Sequence, residues 1–188
     1  IVVIDKDGLR SRTWQMDERE ALCVFEYIYL ARPDSVLNGR NVYEARFQMG
    51  KYLAKEHPVE ADIVMPVPES GVPSAIGFAA ESKITFGEGL IKNRYVGRTF
   101  IQPSQEIRDL GVRLKLNPIR DAVRGKKVVI IDDSIVRGTT SRQIIKLIKD
   151  AGAREVHMRI SSPPNLNPCF YGIDTASRAE LIAANLSV

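Results

Sequence analysis

Two adjacent carboxylates, Asp132 and Asp133, follow four apolar residues, Val128-Val129-Ile130-Ile131. They precede a short hydroxyl-bearing stretch, Ser134-Ile135-Val136-Arg137-Gly138-Thr139-Thr140-Ser141. Ionised carboxylates accept hydrogen bonds and donate none, so such a pair suits the vicinal hydroxyls of a ribose, directly or through a hydrated Mg²⁺. The next residues suit a different group. Gly138 can take a positive φ, and Thr139, Thr140 and Ser141 bring hydroxyls. A helix starting there offers free N–H groups and its positive dipole end to a dianionic phosphate. A diol site a few residues from a phosphate site matches a ribose 5-phosphate in size and charge. An Asp pair alone can simply cap a turn, and Ser or Thr at a helix start is an ordinary cap. The complete string carries the reading.

Such a string has to be positioned by regular elements on both sides. Lys127–Ile131 is β-branched and apolar on both faces, which predicts a central, parallel strand. A helix is expected from about Thr140 to Ala151, capped by Gly152, and a further strand over Glu155–Ile160. The same order occurs earlier: a strand over Asp62–Val67, the loop Pro68-Glu69-Ser70-Gly71, then a helix from about Pro73 to Glu81. Alternation of this kind predicts an α/β fold with a mainly parallel central sheet flanked by helices, binding ligands at the carboxyl ends of its strands. Upstream, residues 1–16 read as a hairpin turning at Asp5-Lys6-Asp7-Gly8. The apolar run Leu22–Leu30 closes at the turn Arg32-Pro33-Asp34-Ser35. Val42, Ala45, Met49 and Leu53 recur at helical spacing up to His57-Pro58. Lys92–Arg113 fits neither template. It carries Lys92, Arg94, Arg98, Arg108 and Arg113 with Gly97, Pro103 and Gly111, and reads as a mobile lid or a disordered insert.

The chain has 188 residues, 44% of them apolar and 27% charged. That suffices for one packed domain, with or without a small appendage. No apolar run approaches the roughly 20 residues of a membrane-spanning helix, and Ile1–Asp5 is too short for the apolar region of a secretory signal. Two cysteines, Cys23 and Cys169, are too few for a disulfide scaffold, so a reducing, cytoplasmic setting is expected. The net charge of +4, from 27 basic and 23 acidic residues, suits a protein that handles anions, a phosphorylated metabolite as readily as nucleic acid. Neither G-x-x-x-x-G-K-[ST] nor G-x-G-x-x-G occurs, which removes the P-loop and dinucleotide readings. His57 and His157 are too isolated for a triad or a metal site. The chain opens without Met and is read as a piece of a longer protein, with 1–21 a hairpin and linker and 22–188 the main domain.

The Val128–Ser141 string resembles the motif by which type I phosphoribosyltransferases bind 5-phosphoribosyl-1-pyrophosphate (PRPP). Four other segments narrow the resemblance to the glutamine PRPP amidotransferase family: Cys23–Ser35, Pro66–Gly71, Lys92–Phe100 and Asn167–Asp174. The resemblance implies the type I phosphoribosyltransferase fold with a flexible lid loop. It also implies transfer of a phosphoribosyl group from PRPP to ammonia in the first step of de novo purine synthesis. In that family a separate glutaminase domain supplies the ammonia; residues 1–21 would be the linker from it, and 22–188 a C-terminally truncated phosphoribosyltransferase domain. Ser134, Arg137, Gly138, Thr139, Thr140 and Ser141 would cradle the 5-phosphate. Asp132 and Asp133 would hold the ribose and help bind Mg²⁺, with Ser70 at a further metal-associated position. Lys92, Arg94 and Arg98 would meet the pyrophosphate from the lid, where cations stabilise the departing charge and closure excludes water. Cys23 and Cys169 match two of the four thiolate ligands of a 4Fe-4S cluster; the other two would lie beyond Val188, so the cluster is expected to be absent from this chain alone. Purine nucleotides are expected as competing inhibitors, a homo-oligomer as the assembly, and neither nucleic acid nor membrane as a partner.

Two other functions share parts of this pattern. A free-base salvage phosphoribosyltransferase would need a hood that stacks a base, and the sequence has no clear one. A regulatory nucleotide- or RNA-binding module would need a recognition helix, yet the basic residues gather beside the expected pyrophosphate site.

Overall fold

A computed structural model describes residues 1–12, 21–93, 95, 115–173, 175 and 177–186. The expected lid, with Arg94, Arg98, Arg108 and Arg113, lies outside the described residues apart from Lys92, Asn93 and Tyr95. The N-terminal hairpin forms over residues 2–11, β1 (Val2–Asp5) pairing antiparallel with β2 (Gly8–Ser11), and residues 13–16 of the expected hairpin lie outside the described residues. Gly8 completes the turn at φ +109°, and every residue of both strands is exposed.

The apolar run after Cys23 becomes a π-helical turn, Glu26–Leu30, with only Ile28 buried. A two-residue ladder, β3 (Val36–Leu37) and β4 (Arg40–Asn41), leads into α1 (Val42–Glu56). Asn41 caps α1, its side-chain oxygen accepting from the Glu44 amide at 3.0 Å. Such a cap satisfies one of the orphan amides of the first turn.

Among the described residues the core sheet has three strands in the order β5 (Ile63–Pro66), β8 (Lys127–Asp132), β9 (Glu155–Ile160), all parallel. Lys127–Asp132 is therefore central, as its double-faced apolar character requires. Strand alternation sends its side chains to two separate cores. Val129 and Ile131 pack with Val64, Leu53, Ala75 and Phe78, under α1 and α2 (Val72–Ser82). Val128 and Ile130 pack with Met65, Val123, Ile144 and Ile148 on the opposite face, under α4 (Thr139–Asp150). The second face is completed by an antiparallel pair that no periodicity announced, β6 (Leu90–Lys92) with β7 (Leu116–Pro118), and by the short helix α3 (Arg120–Val123). In sequence that pair flanks the lid segment, Lys92 standing opposite Leu116 in the ladder. A 3₁₀ turn (Arg178–Glu180) and α5 (Ile182–Asn185) end the described chain.

The buried face of α1 differs from the spacing expectation. Val42, Arg46, Gly50, Leu53 and Ala54 are buried, while Ala45 and Met49 are only half-buried. The cause is a backbone-to-backbone crossing with α2. A Cβ on Gly50 would lie 1.9 Å from the Ser74 carbonyl oxygen, and one on Gly77 would lie 2.0 Å from that of Phe47. Glycines carry little hydropathy signal, so the pattern pointed one row away.

Candidate functional site

The site is built where β8 ends. Main-chain pairing to β9 continues past the strand, the amides of Ser161 and Ser162 donating to the Asp132 and Asp133 carbonyls at 3.0 Å each. Both Asp side chains are thereby fixed at the sheet's carboxyl edge, and both are buried. The Asp133 amide donates to Asp132 Oδ1 at 2.9 Å, and Ser134 Oγ donates to Asp133 Oδ1 at 2.5 Å. Burial, then the charge of Asp133, pushes the Asp132 carboxyl up to about 7. Burial also raises Asp133, against hydrogen bonds from Ser134 and Ser70 and the positive charge of Arg46. Two adjacent buried carboxylates that repel one another form a site that a divalent cation or a pair of hydroxyls would relieve.

Ser70 belongs to the same site, near enough to Asp133 to favour its ionised form against burial. It is carried there by the loop after β5, which lies against the end of β8: the Val67 amide donates to the Ile131 carbonyl at 2.8 Å. This approach explains Gly71, where a Cβ would stand 2.6 Å from that same carbonyl oxygen. Lys92, at the end of β6, pairs with Glu69 of this loop at 3.3 Å. The predicted pyrophosphate cation is thus placed at the rim of the Ser70 loop.

On the other side of the Asp pair, Ser134–Gly138 loops into α4. Gly138 occupies the N-cap position at φ +73°, and no side chain caps the helix. The first-turn amides of α4 then lack intrahelical acceptors, which is the arrangement that receives an anion. Thr139 is exposed and Thr140 half-buried, whereas Ser141 lies on the buried face of α4. Arg137 pairs with Glu180, Nε donating at 2.6 Å.

Sequence reasoning missed Arg46. This 3% exposed arginine donates from Nε to the Tyr27 carbonyl at 2.7 Å and from Nη2 to the Ala31 carbonyl at 2.9 Å. It ties the π-helical turn to α1 and sets a cation near Asp133. A charged residue on the Val42–Leu53 face was the one available signal. Tyr27 donates its hydroxyl to the Leu37 carbonyl at 2.6 Å, and Tyr29 is exposed.

The two cysteines differ. Cys23 is exposed. Cys169 Sγ accepts the Tyr171 amide at 3.3 Å, and amide donation from Tyr171, Ile173 and Gly172 lowers its thiol below the ordinary value. No group of three or more His, Cys, Asp or Glu that could hold a metal occurs among the described residues, nor does a helix there have the length and apolarity to cross a membrane.

A parallel sheet with this Asp-pair loop at its carboxyl edge defines a class, and comparison gives it a name. Residues 39–161 match the phosphoribosyl transferase domain family, and the chain belongs to that family. More particularly, it is 64% identical over 186 residues to the amidophosphoribosyltransferase of Archaeoglobus fulgidus, covering 98% of this chain and 41% of that protein. It is 59% identical over 188 residues to that of Synechocystis sp., covering 100% of this chain and 38% of the relative. The solved glutamine PRPP amidotransferase from B. subtilis, complexed with ADP and GMP, superposes with a TM-score of 0.84 at 54% identity, over 99% of this chain and 41% of that one. The fold is that of the type I phosphoribosyltransferases. The chain spans about two fifths of the length of these relatives.

Proposed function

We propose that this domain transfers the phosphoribosyl group of PRPP to ammonia, giving 5-phosphoribosylamine and pyrophosphate in the first step of de novo purine synthesis. The observation that carries the reading is the convergence of Asp132, Asp133 and Ser70 at one strand end, next to the Gly138 loop. Identity to amidophosphoribosyltransferases along nearly the whole chain supports ammonia as the acceptor. Residues 22–188 act as the transferase domain of a longer protein. Residues 1–21 connect it to a glutaminase part that supplies ammonia.

In the reaction the ammonia nitrogen forms a bond to the anomeric carbon as the bond to the pyrophosphate oxygen breaks. The pyrophosphate leaves with the electron pair, and the surplus ammonium proton passes to solvent. Ammonia is already a nucleophile, so the site needs no general base. Ser134–Ser141 and the amides at the start of α4 bind the 5-phosphate, and Asp132 and Asp133 accept from the ribose hydroxyls. Lys92, Arg94 and Arg98 meet the pyrophosphate, where fixed cations stabilise charge that develops in the transition state. The hard oxygen donors of Asp132, Asp133 and Ser70 fit Mg²⁺, which when bound neutralises pyrophosphate charge.

The Cys169 loop also fits a cluster ligand, because amide donors to sulfur are among the features that tune cluster-bound thiolates. Cys169 and Cys23 would hold two corners of a 4Fe-4S cluster, with the remaining thiolates supplied from outside this chain. Purine nucleotides such as AMP or GMP occupy the 5-phosphate site as inhibitors, in keeping with the nucleotides in the B. subtilis complex. A homo-oligomer in the cytoplasm completes the proposal.

The test is pyrophosphate release from PRPP with Mg²⁺ at high ammonium and pH near 8.5, for the chain and for Asp132→Asn/Asp133→Asn. Ammonia-dependent release that the double substitution abolishes is expected. A folded chain that binds neither PRPP nor AMP would overturn the assignment.

A further inference from the structure

The phosphate loop is braced by residues that lie outside the family match at 39–161. Ile182 donates its amide to the Val136 carbonyl at 2.9 Å. Its Cδ1 covers Gly138, standing 2.8 Å from where a Cβ would be. Next to it, Leu181 is fully buried and anchors the segment. Asn185 Nδ2 donates to the carbonyls of Arg178, Ala179 and Leu181 at 3.3, 3.1 and 2.9 Å, closing 178–185 into a compact strap. From that strap Glu180 Oε2 receives Arg137 Nε at 2.6 Å and Nη2 at 2.5 Å. The strap therefore holds three successive loop residues, Val136, Arg137 and Gly138, by three different contacts.

We propose that Glu180 is a positioning residue for the 5-phosphate end of the ligand, acting through Arg137, with residues 178–185 as the strap that keeps the loop in its binding shape. The inference rests on the phosphoribosyl reading above and assigns a segment to its phosphate subsite. Its physical basis is preorganisation. A loop held in one conformation before binding does not lose that freedom when the phosphate arrives, and the difference appears as affinity. The pair also fixes a planar guanidinium in one orientation beside the loop, which a phosphate recognises by geometry as well as charge.

The test compares the full chain with Glu180→Gln, Glu180→Asp, Arg137→Gln and the double variant Arg137→Gln/Glu180→Gln. Three quantities are read: AMP affinity by calorimetry, amide hydrogen exchange over residues 134–141, and the melting temperature. Glu180→Gln should weaken AMP binding about three- to tenfold and speed exchange in 134–138, with partial recovery in Glu180→Asp. Its melting temperature should change little, because the two side chains are 38% and 44% exposed and such pairs contribute little to global stability. The double variant should bind AMP about as weakly as Arg137→Gln alone, since both substitutions remove one coupled unit. Unchanged exchange and affinity in Glu180→Gln would overturn the inference. So would a fall in melting temperature with exchange rising across the whole domain, which marks a merely structural role. A folded wild-type chain that binds neither AMP nor PRPP would instead defeat the functional reading, while loop exchange would still decide for or against the strap.

Discussion

At the scale of single residues, the site stores electrostatic tension in Asp132. Its carboxyl is pushed up to about 7 by burial and by Asp133, so the ionised form is disfavoured in the folded protein. The sign of the stability effect follows. A carboxyl with a raised folded pKa destabilises the fold above that value, and the penalty fades as pH falls through about 7 towards the ordinary value of 3.8. Asp132→Asn keeps the acceptor for the Asp133 amide and removes the charge. It should raise stability at pH 8 by on the order of 4 kcal/mol, with the gain shrinking steadily towards pH 4. Denaturant titrations of both proteins across that range, without divalent cation, check the slope; a gain independent of pH would contradict it. The same substitution should weaken PRPP binding, the usual opposition between stability and a functional site. The residue pattern was legible here because strand end, Asp pair, glycine and hydroxyls are contiguous in the chain. Arg46 was not legible. Its role depends on carbonyls of Tyr27 and Ala31 that the fold brings to it.

At the scale of elements, two glycines decide how closely α1 and α2 approach each other. Gly50 and Gly77 leave no room for a side chain, and the blocking atoms belong to backbone rather than to flexible side chains. Ser74 Oγ further donates to the Arg46 carbonyl at 3.0 Å, joining the helices at the same level. Gly77→Ala should therefore force the helices apart and destabilise the domain by about 3 kcal/mol, the upper range for overpacking. Chemical denaturation reads the loss, and an unchanged midpoint would mean that the crossing relaxes freely. Because Arg46 lies on α1, the displacement should also reach the Asp133 environment and weaken PRPP binding. The strand–loop–helix units themselves were readable from sequence. β8 is β-branched and apolar on both faces, and that composition fits only a central strand. The β6–β7 pair was not readable, since its three-residue strands are too short for a period and meet across the whole lid segment.

At the scale of the whole molecule, ligand binding should link directly to stability. AMP or GMP held at the 5-phosphate site of the folded chain alone stabilises it by mass action. At a hundred times its dissociation constant the gain is about 2.7 kcal/mol, or about 5–10 °C in melting temperature for a domain of this size. Differential scanning fluorimetry with nucleotide and with the matching nucleoside tests it, and an equal shift from the nucleoside would remove the phosphate loop from the account. The α/β class, the parallel central strand and the Asp pair at its end could be read from the amino-acid sequence. Those properties follow from neighbours in the chain: hydropathy alternation, a glycine at a required positive φ, and paired carboxylates on one strand terminus. Tertiary structure alone decided that Ser70 lies near Asp133, that Arg46 sets a cation near it, and that Glu180 holds Arg137. Each of those contacts joins residues distant in sequence, and short-range pattern carries no information about which distant partner a polar side chain will meet once the two cores have closed around β8.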